Sequence, residues 1–554
     1  EDTSMQRRSR ISQISLAGHQ LIWKFLRWVP TRVLICLMTF TSCWTSYMCR
    51  LQMPILVVPM IKALPGEKVG GACTNDVRRR DVSSSWVLDP GSYLEEYVMQ
   101  ERLAEYETRL NSAMNNTRLK RDGTRNEGVR ETFSFFSGEP FDWTPRIRGQ
   151  LIASYSYGNV PGNFIGGLMA LRWGPRKAIL WTSLVAAIIS LISPLIAQIH
   201  WSVLLVSRVI IGVTGGVTFP ACHTLVAKWA PPQEKARFVW ALLGGTFGTI
   251  FTYPMIAGIA ESVDWECGWY IPSLLMLIWV AVFALICYDS PAEHPGISEE
   301  EREYILTSQA GTVRAQKPTW HQTPFLKIMT SVPFLSLIVC HFGNLFLLFF
   351  YQNSMMLYLT KALGFQLTKG GAAAGLPWAG RMLFGFFFSW AGDTIKSRQI
   401  MSVTMLRKVA TIFSHLVPGL FLILVGYVGC SLFYANLFLL FALGFNGAAS
   451  ISNLSNNQDL SPNFAGFLYG IMNTIGCTSG MIIPVIVEEI AGKYGNPIEK
   501  WNILFGIGAA VCILCMVIFL FCGSGNIQSW NEIKDEVKDT EAGKRPVAEP
   551  AAKT

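Results

Sequence analysis

Apolar residues along this chain gather in blocks of about 20, and shorter polar segments separate the blocks. A helix rises about 1.5 Å per residue, so a block of about 20 residues crosses the ~30 Å hydrocarbon core of a bilayer. We therefore predict twelve transmembrane helices, numbered as spans one to twelve in chain order. The predicted spans cover residues 33–60, 149–171, 178–198, 202–227, 238–260, 269–288, 333–359, 371–390, 409–429, 432–455, 464–489 and 501–522.

Long polar segments arrange these spans into two groups of six. Residues 62–145 separate spans one and two, and a linker at 290–332 separates spans six and seven. The pattern predicts an all-α membrane protein built from two six-helix halves, as in transporters with parallel repeats. The predicted divisions are an N-terminal tail at 1–32, halves at 33–289 and 333–523, the linker between them, and a C-terminal tail at 524–554. Within the linker, the run Ser298-Glu-Glu-Glu301 predicts the capped start of a short surface helix.

Basic residues in the short loops predict the orientation. Loops 172–177, 228–237 and 391–408 contain ten Lys and Arg residues, whereas the short loops of the opposite face contain about four. Cytoplasmic loops carry the excess of basic residues. Both termini and the linker are therefore expected in the cytoplasm. The 62–145 segment is expected outside or in a lumen, where a glycan on the Asn115 sequon would lie.

Composition excludes several classes of function. The chain is 51% hydrophobic and only 15% charged. Its net charge of +9 comes mainly from Lys and Arg in the loops, so the charge reflects membrane topology. The charge therefore predicts no nucleic-acid partner. Most of the 13 cysteines lie inside apolar blocks, and no metal-ligand spacing is present. A disulfide between Cys73 and Cys267, both expected outside, stays open. No nucleophile–base pair, phosphate-binding loop or repeated ring of charges indicates an enzyme or a channel.

Charged residues inside the spans indicate the chemistry. Arg50 in span one and Arg208 in span four have no acidic residue one helical turn away. Burying a charge in a membrane costs several kcal/mol, so such residues mark functional sites. Two unpaired arginines suit an anionic substrate, because guanidinium matches carboxylate or phosphate. The alternative is a structural role, either snorkelling to an interface or pairing with a carbonyl. Arg381 in span eight is a third such cation, for which substrate binding and structural pairing are both open.

Other residues inside the spans are candidates with a structural alternative. His341 in span seven is a candidate proton or anion site, or else a histidine hydrogen-bonded in the core. Tyr155 and Tyr157 in span two either line a cavity or belong to the core. Gly158, Gly162 and Gly166 predict a flat face for close helix packing. Acidic residues are scarce within the spans, and none is an obvious proton carrier.

Several motifs resemble one branch of a known family. They are Gly216-Val-Thr-Phe-Pro-Ala-Cys-His223 followed by Lys228-Trp-Ala-Pro-Pro-Gln-Glu-Lys-Ala-Arg237, then His294-Pro-Gly-Ile-Ser298, Gly392-Asp393, Asp459-Leu-Ser-Pro462, Gly470-Ile-Met-Asn473 and Gly523-Ser-Gly-Asn-Ile-Gln-Ser-Trp530. The sequence resembles the anion:cation symporter branch of the major facilitator superfamily. That branch includes sialin, the vesicular glutamate and nucleotide transporters, and the type I sodium/phosphate cotransporters. The resemblance implies the major facilitator fold and covers residues 33–530, apart from the first long loop.

The resemblance also implies roles for individual residues. Arg50 and Arg208 match arginines tied to anion recognition, and Asn473 in the matched motif of span eleven is a further substrate-binding candidate. The superfamily's gating-loop motif occurs twice, without its acidic residue at 167–176 and with one at Gly392-Asp393. Its gating candidates here are Arg172, Gly174, Arg176, Asp393 and Arg398.

Departures from the branch concern coupling and substrate. The span-four glutamate of proton-coupled members aligns with Gly215, and the span-two histidine of glutamate transporters aligns with Ile152. The span-seven Trp and Tyr align with Phe346 and Phe349, and a proline near the end of that span aligns with Met356. These differences argue against proton-coupled sialic acid export and against vesicular glutamate loading.

Together these observations predict a secondary transporter that moves a small organic anion or inorganic phosphate by alternating access. Membrane potential or sodium is the expected driving force, and no cofactor is expected apart from a bound sodium or chloride ion. The protein is expected to be a monomer in the plasma membrane or in a lysosomal or synaptic-type vesicle membrane. The alternatives are a transport-inactive relative that acts as a receptor or scaffold, and a proton-coupled carrier similar to sialin.

Overall fold

A computed structural model describes residues 28–62, 140–231, 238, 240–309, 323–462 and 464–531. Within these ranges the regular structure is helical, apart from one isolated β-bridge between Ile61 and Phe141. A long helix lies at every predicted span. The observed bounds of spans one to twelve are Thr31–Met60, Pro145–Arg172, Pro175–Ile199, Trp201–Trp229, Gly244–Ser262, Cys267–Ile286, Val332–Ala362, Leu367–Ser397, Val403–Tyr427, Leu432–Leu460, Ala465–Tyr494 and Ile498–Cys522. Asn115 and most of both tails lie outside the described residues.

Hydropathy separates the helices into two groups. Among the described residues, eight helices are long and apolar enough to cross a membrane by length and composition alone. Spans one, two, five and eight are also long but fall below that apolarity. Span one buries Thr39, Ser42, Ser46 and Arg50, and spans two and five also bury polar residues such as Ser154 and Thr249. Spans one, two and five therefore contribute polar side chains to the interior of the bundle.

Large apolar side chains cover the outer surface of several spans. On span three, Trp181, Ile188, Ile192 and Leu195 are exposed at helical spacing. Contiguous exposed apolar surface of this kind is uncommon on proteins that contact only water. These residues therefore form the expected surface for lipid.

Spans two and four pack closely along a glycine seam. A Cβ atom added at Gly158, Gly162 or Gly166 would collide with the backbone at Val209, Val213 or Val217, respectively, one helical turn further along each time. The close packing expected from the glycine repeat is therefore observed, and it brings Tyr155 of span two against span four.

The short helix expected in the linker is confirmed at Glu299–Gln309. The Ser298 hydroxyl accepts a hydrogen bond from the Glu301 backbone N–H at 3.2 Å. The Glu301 carboxylate in turn accepts from the backbone N–H groups of Thr31 and Arg32 at 2.9 and 3.0 Å. Because these N–H groups are unpaired at a helix start, Glu301 caps span one and fastens the linker beneath the first half.

Within the described part of the chain, Cys267 does not form the disulfide considered with Cys73. Cys267 is a free thiol. Cys430, in the turn between spans nine and ten, is disulfide-bonded. Disulfides persist in oxidising compartments. A disulfide at Cys430 agrees with the predicted orientation, in which this turn and the 62–145 segment lie on the same non-cytoplasmic face. We call this face the loop face, and the opposite face, which carries the 290–332 linker, the linker face.

The predicted orientation leads to a direct test. Replacing Asn115 with glutamine is expected to increase the gel mobility of the expressed protein by one glycan, while a sequon inserted into the C-terminal tail stays unmodified. The basis is the excess of Lys and Arg at the linker face. Unchanged mobility of Asn115→Gln together with glycosylation of the inserted sequon would show the inverted topology.

Candidate functional site

Arg50 lies inside span one, about 15 Å along the helix from its loop-face end. Its side chain is 7% exposed, and its Nε atom has no hydrogen-bond partner. The guanidinium carbon lies 4.2 Å from the centre of the Phe349 ring, 5.1 Å from Tyr155 and 5.9 Å from Tyr47. No acidic side chain among the described residues pairs with it. Aromatic faces stabilise a cation only partly, so this guanidinium keeps donors available for an anion.

Arg208, unlike Arg50, donates hydrogen bonds to backbone carbonyls of span one. Its two terminal nitrogens donate to the carbonyls of Cys49 and Arg50, at 2.8 and 3.1 Å. The reason is local to span one, because Pro54 has no N–H to donate to the carbonyl four residues earlier, which is that of Arg50. Arg208 therefore supplies the donor that proline removes, which a helix inside a membrane requires. The structural alternative stated for Arg208, pairing with a carbonyl, is observed.

Tyr155 occupies the space beside Gly215. A Cβ atom added at Gly215 would collide with the Tyr155 hydroxyl. The same ring lies 5.1 Å from the Arg50 guanidinium and 5.8 Å from that of Arg208. The phenol thus stands where a longer side chain at position 215 would lie, between the two arginines. A phenol in this place stays neutral and leaves both positive charges uncompensated.

A small cavity adjoins Gly215 on the other side. It has about 10 Å³ of free space, roughly one water molecule. Its lining combines apolar side chains with the hydroxyl groups of Ser46, Thr182, Ser183, Thr214 and Thr218. Hydroxyl groups both donate and accept hydrogen bonds, so a cavity of this size suits a single water molecule.

Arg381 faces the same interior from the second half. Its Nε donates to the Asn446 side chain at 3.1 Å, and one terminal nitrogen lies 3.5 Å from the Thr246 hydroxyl of span five. Tyr47 lies within electrostatic reach of both Arg50 and Arg381. Both partners of Arg381 are neutral, so its positive charge adds to that of Arg50. The structure therefore brings cations from both halves to one interior region.

His341 and Asn473 form a separate group within the second half. The His341 ring is fully buried, its Nδ1 accepts from the Asn453 amide at 2.8 Å, and Asn473 is a further neighbour. This environment matches the core alternative stated for His341. Tyr157 is half-buried and lies two residues from Tyr155, so the two rings point to different faces of span two. Tyr157 therefore does not join the arginine group.

Comparison with known proteins identifies the family. Residues 132–484 match the model of the Major Facilitator Superfamily. The chain belongs to this superfamily. It is 27% identical to human sialin over 395 residues, which cover 71% of this chain and 79% of sialin. It is 28% identical to vesicular glutamate transporter 1 of Bos taurus, covering 73% of this chain and 72% of the relative. It is 30% identical to a Drosophila ananassae protein assigned as an inorganic phosphate cotransporter, covering 72% and 83%.

Solved structures agree on the fold. The xylose transporter XylE from E. coli in an inward open conformation superposes with a TM-score of 0.55 at 12% identity, covering 89% of this chain and 96% of XylE. A bacterial homologue of the human lysosomal transporter Spinster superposes with a TM-score of 0.57 at 12% identity, covering 89% and 97%. The family match and the curated relatives show that the protein is a multi-pass membrane transporter and not an enzyme, and the solved structures agree on the major facilitator fold.

The first gating loop, at residues 167–176, contacts an acidic residue from another segment, Asp289. Gly174 has a φ of +88° and lies against the Asp289 carboxylate, which accepts from the Arg176 backbone N–H at 2.8 Å. Asp289 follows span six and takes the place of the acid that Leu171 replaces in the motif. Arg172 is exposed.

The second copy of the loop is more open. Asp393 and Arg398 are both exposed. Near this loop, Asp459 pairs with a basic residue and accepts a hydrogen bond from Arg407 Nε at 2.6 Å. A lock through Asp393 therefore stays a prediction, and Asp459 is the carboxylate engaged in this conformation.

Two important contacts were not predicted from the sequence. Phe349 entered it only as a departure from the family, yet its ring is the nearest to Arg50. Arg148 and Glu488, at the ends of spans two and eleven, form a buried ion pair. Both residues lie near the ends of their spans, where charged residues are common at a membrane interface. Only the packing of the two halves brings them together.

Proposed function

We propose that this protein carries a small anion by alternating access and that Arg50 binds the negative charge of that anion. The single observation that supports this role is a buried guanidinium surrounded by aromatic rings, with no acidic partner among the described residues. Leaving such a charge unpaired in a membrane costs several kcal/mol, which a bound anion offsets. Arg381 adds a second positive charge from the opposite half. A site between halves is reachable from either side as they rock.

The relatives support an anionic substrate. This chain is similar to sialin, to vesicular glutamate transporters and to a phosphate cotransporter. A zwitterion such as glutamate also needs a partner for its ammonium group. The arginine region offers cations, aromatic rings and hydroxyls, but no carboxylate among the described residues. The site therefore suits an organic anion without an amine, or phosphate.

We propose that membrane potential or sodium, and not a proton on span four, drives transport. Proton coupling at this level needs a group that changes charge during the cycle. Position 215 is glycine, and the Tyr155 hydroxyl already fills the adjacent space. Arg208 keeps its charge because guanidinium does not lose its proton near physiological pH. Membrane potential supplies about 2.3 kcal/mol per charge per 100 mV.

The test is uptake by proteoliposomes that contain the purified protein. Radiolabelled phosphate, urate, glutamate, sialic acid and ATP are supplied one at a time, with voltage, sodium and pH varied separately. We expect uptake of at least one anion to respond to voltage or sodium and not to a pH gradient at clamped voltage. Strong acceleration by protons, retained in His341→Ala, would overturn the coupling proposal. Absence of uptake for the whole panel would favour the receptor or scaffold alternative.

A further inference from the structure

Arg148 and Glu488 join the two halves of the transporter at the loop face. Arg148 lies in the first turn of span two, and Glu488 lies near the end of the continuous part of span eleven. Two parallel hydrogen bonds connect them, from Arg148 Nε to Glu488 Oε1 at 2.6 Å and from Nη2 to Oε2 at 2.7 Å. Their side chains are only 4% and 2% exposed. A bidentate pair with this geometry is the strong form of the arginine–carboxylate contact.

Two glycines make room for this pair. A Cβ atom added at Gly149 would approach the Glu488 side chain at 2.9 Å. One added at Gly492 would collide with the Glu488 carboxylate. The absence of side chains on both sides lets spans two and eleven approach closely enough for the two charges to meet. The local sequence is thus suited to this contact.

Other contacts between the halves lie on the same side. The Tyr253 hydroxyl of span five donates to the Gln352 carbonyl of span seven at 2.8 Å. The Thr368 backbone N–H of span eight donates to the Glu261 carboxylate of span five. Near the linker face, by contrast, a Cβ atom added at Gly466 or Gly470 of span eleven would meet no atom within 4 Å. The halves are therefore joined by several contacts on the loop-face side, whereas Gly466 and Gly470 border free space near the linker face.

The ion pair lies on the loop-face side of the residues that cover Arg50. Two helical turns below Arg148, Ser156 faces Gly480 of span eleven, where an added Cβ would lie 2.5 Å from the serine oxygen and 3.2 Å from the Phe349 ring. Phe349 is the ring that covers Arg50. Separating the halves at Arg148 would expose this column of residues to the loop face.

We propose that Arg148 and Glu488 form the loop-face gate of the transporter. The pair stabilises the state in which the arginine site is closed to the loop face and must break each time that face opens. A buried pair stabilises one state strongly only while both partners are present, since losing one leaves the other charge unpaired. Neutralising either partner therefore shifts the equilibrium toward the loop-face-open state.

The test measures access to a cysteine at position 156. Ser156→Cys is labelled with a membrane-impermeant methanethiosulfonate applied to each face in turn, and labelling of the protein without this cysteine is subtracted. Adding Glu488→Gln or Arg148→Met is expected to raise labelling from the loop face by about tenfold, the change that about 1.4 kcal/mol makes in a two-state equilibrium. The double exchange Arg148→Glu with Glu488→Arg is expected to restore slow labelling.

The matched control is Glu489→Gln, in the next residue of the same helix. Glu489 pairs with Lys493 at the surface, where the two side chains are 51% and 64% exposed, so its loss is expected to leave labelling unchanged. Wild-type labelling in Glu488→Gln would overturn the proposal. So would an equal rise from both faces, which indicates a loosened fold, or a failure of the exchanged pair to restore protection. The assay needs no substrate, so its outcome is separate from that of the uptake panel.

Discussion

Replacing Arg50 with alanine reduces anion uptake by about 100-fold, on the expectation that truncating one partner of a buried charge pair costs about 3 kcal/mol. The expectation rests on the position of this guanidinium, which contacts three aromatic rings and no described acid. Lysine at position 50 keeps the charge but loses the planar fork of donors. We therefore expect Arg50→Lys to retain only a small part of the uptake.

The measurement is initial uptake into proteoliposomes loaded with equal amounts of folded protein. Arg302→Ala is the control, because Arg302 lies on the surface helix of the linker and its side chain is 38% exposed. Uptake by Arg50→Ala at the wild-type rate would show that the anion does not contact this residue. Loss of uptake in the Arg302 variant as well would show that the assay responds to charge in general.

Replacing Arg208 with alanine lowers the thermal stability of the protein, because the Arg50 carbonyl, which Pro54 leaves without a helical donor, loses its partner. An unsatisfied buried carbonyl costs about 1–3 kcal/mol. The second change Pro54→Ala returns a backbone N–H to the Arg50 carbonyl. We therefore expect Arg208→Ala with Pro54→Ala to be more stable than Arg208→Ala alone.

The measurement is the melting temperature of the detergent-solubilised protein, with Pro54→Ala alone as the matched control. If proline removal stabilises wild type and the Arg208 variant equally, the two residues are not coupled and the structural role is refuted. Uptake by the stabilised double variant then separates the two roles of the arginine. Normal uptake would assign Arg208 to the fold alone, whereas loss of uptake in a stable protein would show that it also contacts the anion.

The sequence by itself determined the helices and the chemistry of the interior. Long apolar blocks leave the backbone few alternatives, because inside a bilayer each N–H and C=O must find a partner within its own helix. All twelve predicted spans therefore appear as helices. The glycine repeat on span two and the Ser298 cap depend on residues close in sequence, so they too were readable. Charge inside a span is expensive wherever the helix packs, which is why Arg50 was recognised as a candidate from its position alone.

Only the tertiary structure decided which candidates share a site and what each one does. Arg50 and Arg208 look alike in sequence, but Pro54 on another helix gives Arg208 a carbonyl to satisfy, while the aromatic rings around Arg50 leave its donors available. The sequence showed only that position 215 lacks the glutamate of proton-coupled relatives. The fold shows that Tyr155 fills the space beside Gly215. Arg148 and Glu488 are 340 residues apart, and each resembles an interfacial residue. Their pairing depends on how two halves meet, and this is set by the sum of many contacts across the bundle and by no local pattern.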